Sequence, residues 1–143
     1  MNVNLLNKRK SGRRALVLNA AKFYVQLLKL ESSRYDLIIL DDSGLDIPIE
    51  ESGATTVDGN TIYVYIDHSL GVYSLLAALA HEMVHAKQFA TGLLAHKIVG
   101  GKEVALWRGK RYDKVPYLRK PWEILAFQRQ ELMVRTLEAC FTA

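Results

Sequence analysis

His81-Glu82-Met83-Val84-His85 is the segment of this chain whose residue types and spacing can do chemistry. Residues four apart share a helical face one turn apart, so both imidazoles can reach one ion. Glu82, next to the first histidine, is placed to take a proton from a water at that ion. Zinc is the metal that suits such a pair, because it takes imidazole nitrogens at about 2.0–2.1 Å and a rigid helix can hold that geometry. The surrounding stretch, LLAALAHEMVHAKQFA, is apolar and helical in pattern. The plain alternative is a pair of histidines satisfied by ordinary hydrogen bonds, but two histidines and an acid inside an apolar helix need some partner.

Catalytic zinc usually takes three protein ligands and a water. The downstream candidates for the third are His96, Glu103, Asp113, Glu123, Glu131 and Glu138. Glu123 is the choice: it opens the last helical stretch in PWEILAFQ, that helix can pack on the motif helix, and His-His-Glu is a set that zinc proteases use. Taken alone, Glu123 also reads as an N-terminal carboxylate complementing a helix dipole. His96 is the rival, eleven residues after His85. The H-E-x-x-H-x-x-G-x-x-H pattern would need glycine where Gln88 stands. His68 reads as a polar loop residue or cap.

Six elements must position these residues. Residues 13–30 carry Leu16, Ala20, Phe23, Leu27 and Leu30 at helical spacing. Residues 35–41 form a short β-rich run, followed by turn-rich residues 42–53. Asp58-Gly59-Asn60 between two β-rich runs predicts a hairpin over 53–67, whose second run alternates Ile62, Val64 and Ile66 with Tyr63 and Tyr65. Residues 69–91 predict the motif helix, capped by Ser69 or Ser74 and ended by Gly92. Residues 96–114 predict a second hairpin turning at Gly100-Gly101, and Pro121 starts a last helix to about Phe141 with a stripe of Leu125, Leu132, Met133, Leu137 and Cys140. The expectation is a single α+β domain over 1–143: a small, mainly antiparallel sheet against the motif helix and a C-terminal helix, with residues 1–12 a flexible basic terminus.

The chain has 143 residues, half of them hydrophobic, which is enough for one core without disulfides or metal staples. Its lone cysteine, Cys140, excludes an internal disulfide and reads as a buried core residue. Basic residues precede the first apolar stretch as in a signal peptide, but Asn19, Lys22 and Gln26 interrupt it and no small-residue cleavage site follows. No window approaches a membrane span. The protein therefore reads as cytoplasmic with no membrane partner. The net charge is +4, with basic runs from Lys8 to Arg14 and from Arg108 to Lys114. These read first as solvated surface and second as a weak DNA contact.

The alternating strand TIYVYID, the helix LAHEMVHAKQ and the final PWEILAF together resemble the small gluzincin-type zinc metallopeptidases, including the compact minigluzincins and the SprT-like metallopeptidases, many encoded by phages and bacteria. The likeness covers roughly residues 61–128 and is most specific at HEMVH. It implies a zincin-like fold, His81, His85 and Glu123 as zinc ligands, and Glu82 as general base. It also implies that strand 61–67, with Tyr63 and Tyr65, is the edge that pairs with an extended peptide. Many gluzincins carry an Asp shortly after the third ligand to support a histidine. Here Ile124, Leu125, Ala126 and Phe127 follow, leaving Asp67 and Asp113 as substitutes. Tyr117 and Tyr112 could supply the oxyanion donor, or could simply pack as aromatics.

The expected activity is zinc-assisted hydrolysis of peptide bonds in a peptide or protein substrate. The alternatives are a DNA-associated protease, a zinc-stabilised binding module without activity, and a DNA-binding adaptor in which the histidines are incidental.

Overall fold

In a computed structural model, which describes residues 1–6, 13–41, 52–67 and 69–142, the chain forms an α+β fold. The elements run β1 (Val3–Leu6), α1 (Arg13–Leu27), β2 (Asp36–Asp41), β3 (Gly53–Asp58), β4 (Thr61–Ile66), α2 (Val72–Ala90), β5 (Leu94–Val99), β6 (Lys102–Trp107), β7 (Lys110–Tyr112) and α3 (Pro121–Thr142). A single 3-10 turn, Tyr117–Arg119, precedes α3.

Strand alternation sets one face of the four-stranded sheet, ordered β1-β2-β4-β3. Leu5, Ile39, Val64 and Thr55 stand in one cross-strand row, and Leu37, Ile62 and Val57 in the next. Leu5, Leu37, Ile39, Ile62 and Val64 are buried on this face. Helices α1 and α2 cover that sheet, and α3 packs along α2. A single cluster of buried residues extends from Leu5 to Leu137. The second sheet, β5-β6-β7, is antiparallel throughout. Three of the five strand pairings among the described residues are antiparallel; β1–β2 and β2–β4 are parallel.

The details differ from the sequence expectations in several places. Residues 3–6 are a strand paired with β2, not part of a flexible terminus; their signal is short because only Leu5 is buried. The basic run at 8–10, the turn-rich 42–51 and His68 lie outside the described residues. The cap of α2 is Gly71 without a side-chain bond, since the Ser69 hydroxyl goes to Asp67 instead. Gly92 does end the helix, at φ +77, a conformation that costs glycine little. Cys140 and Leu132 are exposed, because α3 turns Trp122, Ala126, Met133, Val134 and Leu137 inward.

The largest correction concerns the sheet edge. β4 is an interior strand between β2 and β3, so the sheet edges are β1 and β3, and β3 is the one that packs on the motif helix. Tyr63 and Tyr65 lie on β4 facing away from the buried row of Ile62, Val64 and Ile66. An alternating pattern shows that a strand has two faces; it does not show which strand is outermost.

Candidate metal centre

Helix α2 carries His81 and His85 on the face that meets α3, and the first turn of α3 carries Glu123 to the same point. The three residues are buried, and their ligand atoms lie within 4.8 Å of one another. His81 Nε2 is 3.0 Å from Glu123 Oε2, and His85 Nε2 is 2.7 Å from Glu123 Oε1. The imidazole rings stand edge to face, 4.9 Å between centroids. Among the described residues this is the group of three that could hold a metal ion, and it contains Glu123 rather than His96.

The outer nitrogens are engaged as metal-ligating imidazoles require. His81 Nδ1 is 2.7 Å from Gln130 Oε1, and His85 Nδ1 is 2.8 Å from Gln88 Oε1. An amide oxygen only accepts, so each Nδ1 acts as a donor, while each Nε2 faces Glu123. Gln88 is itself fixed, because its Nε2 donates to the Trp122 carbonyl at 3.1 Å. That bond ties the helix bearing two ligands to the residue before the third. Asp67 instead accepts from Ser69, and Asp113 pairs with Arg111, so the glutamines replace the expected acidic support.

The donor set fits a divalent ion. Ligands at about 2.0–2.1 Å in a tetrahedron stand roughly 3.4 Å apart; the facing pairs here stand 3.0 and 2.7 Å apart, so an ion between them would spread them slightly. Burial works against the His85 cation, but the hydrogen bond to Glu123 and the charges of Glu82 and Glu123 outweigh it and raise its pKa. Burial likewise works to raise Glu123, yet hydrogen bonds from His81, His85 and Tyr117 hold it well below the usual carboxylate range. Glu123 is thus a permanent anion aimed at two imidazoles.

Glu82 lies one residue along α2 and has the opposite tendency. Burial raises its pKa, with Glu123 adding to the shift against the pull of His85, His81 and Thr55. Two carboxylates in one site pushed apart in this way suit different roles. Thr55 on β3 donates to Glu82 Oε1 at 2.8 Å. Gly53 on the same strand permits the approach: a Cβ there would stand 2.6 Å from the Tyr65 carbonyl and 3.0 Å from Glu82 Cγ.

Two cavities open on the centre from either side of Glu82, both bounded by Gly53 and Tyr117. On the His81 side a cavity of about 320 Å³ is lined by Tyr73, Ala77, Ala78 and Phe127 with Gln130 at its edge. On the His85 side one of about 300 Å³ is lined by Thr55, Phe89, His96, Lys120 and Trp122. Tyr117 packs edge-on to Phe127 at 6.2 Å and bonds Glu123, so it belongs to the site. Tyr112 packs against Trp122 at 5.9 Å, the ordinary aromatic role. His96 forms part of the cavity wall and pairs with Glu103 at 2.7 Å. Tyr63 and Tyr65 line neither cavity.

Sequence reasoning missed Gln88, Gln130, Thr55 and Gly53. Gln88 had a usable signal, standing three after His85 and so on the same helical side. The other three are brought in by tertiary packing and carry no local signal. No protein-family model matches the chain, and neither a curated protein nor a solved structure matches it.

Proposed function

We propose that this protein is a small zinc metallopeptidase related to the gluzincin and SprT-like enzymes. The observation that carries the reading is the buried His81–His85–Glu123 group with Glu82 beside it at the junction of two cavities. When bound, zinc would polarise the scissile carbonyl and acidify a coordinated water. Glu82 would take the proton of the attacking water and pass it to the leaving amine, a role that its raised pKa and the Thr55 hydrogen bond support. Tyr117, half-exposed at the mouth of both cavities, is the group best placed to donate to the oxygen of the attacked carbonyl. Strand β3 would pair with the backbone of an extended peptide, since no strand among the described residues occupies its outer edge. No helix among the described residues is long and apolar enough to cross a membrane.

The test is metal content per chain for the wild type and His85→Ala, followed by a quenched-fluorescent peptide library with Glu82→Gln as control. One zinc per wild-type chain, little in His85→Ala, and cleavage lost in Glu82→Gln is the expected outcome. Zinc bound without cleavage of any peptide would leave a zinc-stabilised binding module. No zinc in either protein would end the metallopeptidase reading.

A further inference from the structure

The positive charge of this chain is concentrated beside the metal centre. Between residues 94 and 120 there are eight lysines and arginines against two acids, although the whole chain has 19 against 15. The remainder of the chain is therefore slightly acidic. This segment contains β5, β6, β7 and the turn before α3. It encloses a concavity of about 820 Å³, larger than either cavity at the metal centre, whose wall includes Lys102, Arg111, Lys114 and Lys120.

Both carboxylates here already have partners. Glu103 pairs with His96, and Asp113 with Arg111. Lys120 lies over the Tyr117 and Trp122 rings at 5.9 and 5.8 Å, which orients a cation without neutralising it. Lys102, Lys114 and Lys120 form no salt bridge to a carboxylate among the described residues. The concavity shares His96, Lys120 and Trp122 with the cavity that opens on His85 and Glu123, so the basic pocket lies directly beside the His85 side of the metal centre.

We infer that this pocket receives acidic side chains of the substrate polypeptide, on the N-terminal side of the bond to be cut. The inference rests on the peptidase reading and adds the substrate class to it. The direction follows from β3. The His81-side cavity touches Ser52 and Gly53, whereas the His85-side cavity touches Gly53, Ala54 and Thr55. A peptide paired antiparallel to β3, the slightly stronger pairing, runs with its N-terminal residues toward Thr55 and the lysines. A concave pocket that also contains Val104, Val115 and two carboxylates suits a few acidic side chains better than a duplex, whose phosphates demand an extended basic track.

The test uses the full chain carrying Glu82→Gln, so that binding is read without cleavage. Three labelled peptides share an Ala-Phe centre: three glutamates before it, three glutamates after it, or three lysines before it. Fluorescence anisotropy at low salt should show the glutamate-first peptide binding about tenfold more tightly than the lysine peptide, with the preference shrinking as salt is added. Adding Lys102→Glu with Lys114→Glu, both exposed and away from the ligands, should abolish the preference while zinc content stays unchanged. Equal binding of all three peptides overturns the inference. Tighter binding of the glutamate-last peptide, or displacement of the glutamate-first peptide by short duplex DNA at lower concentration than by unlabelled acidic peptide, overturns it too. The same peptides given to the wild type separate the two claims. Cleavage without charge preference keeps the peptidase and removes the acidic pocket, whereas charge preference without cleavage keeps the pocket and removes the peptidase.

Discussion

Helix α2 meets α3 along one seam and α1 along another, and the two seams are built from different chemistry. The α2–α3 seam buries His81, His85, Gln88 and Glu123, joined through Gln130 and the Trp122 carbonyl. The α1–α2 seam is mainly apolar, α1 burying Ala20 and Ala21, and two polar ties cross to α2 among the described residues. In those ties the Tyr24 hydroxyl donates to the Leu76 carbonyl at 3.1 Å, and Lys87 Nζ donates to the Leu28 carbonyl at 2.7 Å. One seam gives up packing to hold polar groups in a fixed array, while the other anchors the helix so that the array does not drift. Damage to the first should appear in metal binding and catalysis, and damage to the second in stability alone.

The largest effect should come from the centre of the polar seam. Glu82→Gln keeps shape and zinc but removes the proton acceptor, so peptide cleavage should fall by about 10²–10⁴-fold or more. His85→Ala should fail earlier, by losing the ion itself, as metal analysis of the purified variant would show. A Glu82→Gln protein that still cleaves at wild-type rate would separate the polar seam from catalysis.

Gly53→Ala comes next, from the strand that faces the seam. The added methyl meets the Tyr65 carbonyl at 2.6 Å, a backbone atom that cannot move cheaply, as well as Glu82 Cγ. Either the β3–β4 pairing or Glu82 must shift, and a displacement near 1 Å can cost about 10²-fold in rate. The expected result is a fall in kcat with zinc retained. Unchanged kcat would mean that Glu82 does not depend on its contact with β3.

The two glutamines sharpen the comparison within the seam. Gln88→Ala and Gln130→Ala should each weaken zinc binding by about 10–100-fold, measured by competition with a chelator. Gln88 should give the larger effect, since its loss also releases the Trp122 carbonyl and loosens α3 where Glu123 begins. The reverse order would show that His81, not His85, is the more dependent ligand.

Which parts of this arrangement could be read from the residues follows the same division. The helix and the histidine pair it brings to one face were legible because HEMVH is local: four-residue spacing on an apolar helix needs no knowledge of neighbours. Glu123 was legible because Pro121 marks a helix start and few acids follow His85 at a helix end that could face α2. The order of strands was not, because β3 and β4 both alternate, and only the pairing of β2 with β4 makes β3 an edge. Cys140 and Leu132 were misread as buried, since a helical stripe gives a period but not the exact angle at which α3 meets its neighbours. The supporting contacts from Gln130, Thr55 and Gly53 span 27 residues or more of sequence in the case of Gln130 and Thr55, so no local pattern encodes them.

The smallest effect should come from the apolar seam. Tyr24 is fully buried, and burial, with the charge of Glu138 adding, raises its pKa far above that of a free phenol, so it stays a neutral donor. Tyr24→Phe removes only the hydroxyl and leaves the Leu76 carbonyl short of a partner that its helix can share. A loss of about 1 kcal/mol in unfolding free energy is expected. Zinc affinity and cleavage, measured on the same preparation, should not change. If they fall in proportion to stability, the α1–α2 seam is part of the site, and the division of labour on the two sides of α2 is wrong.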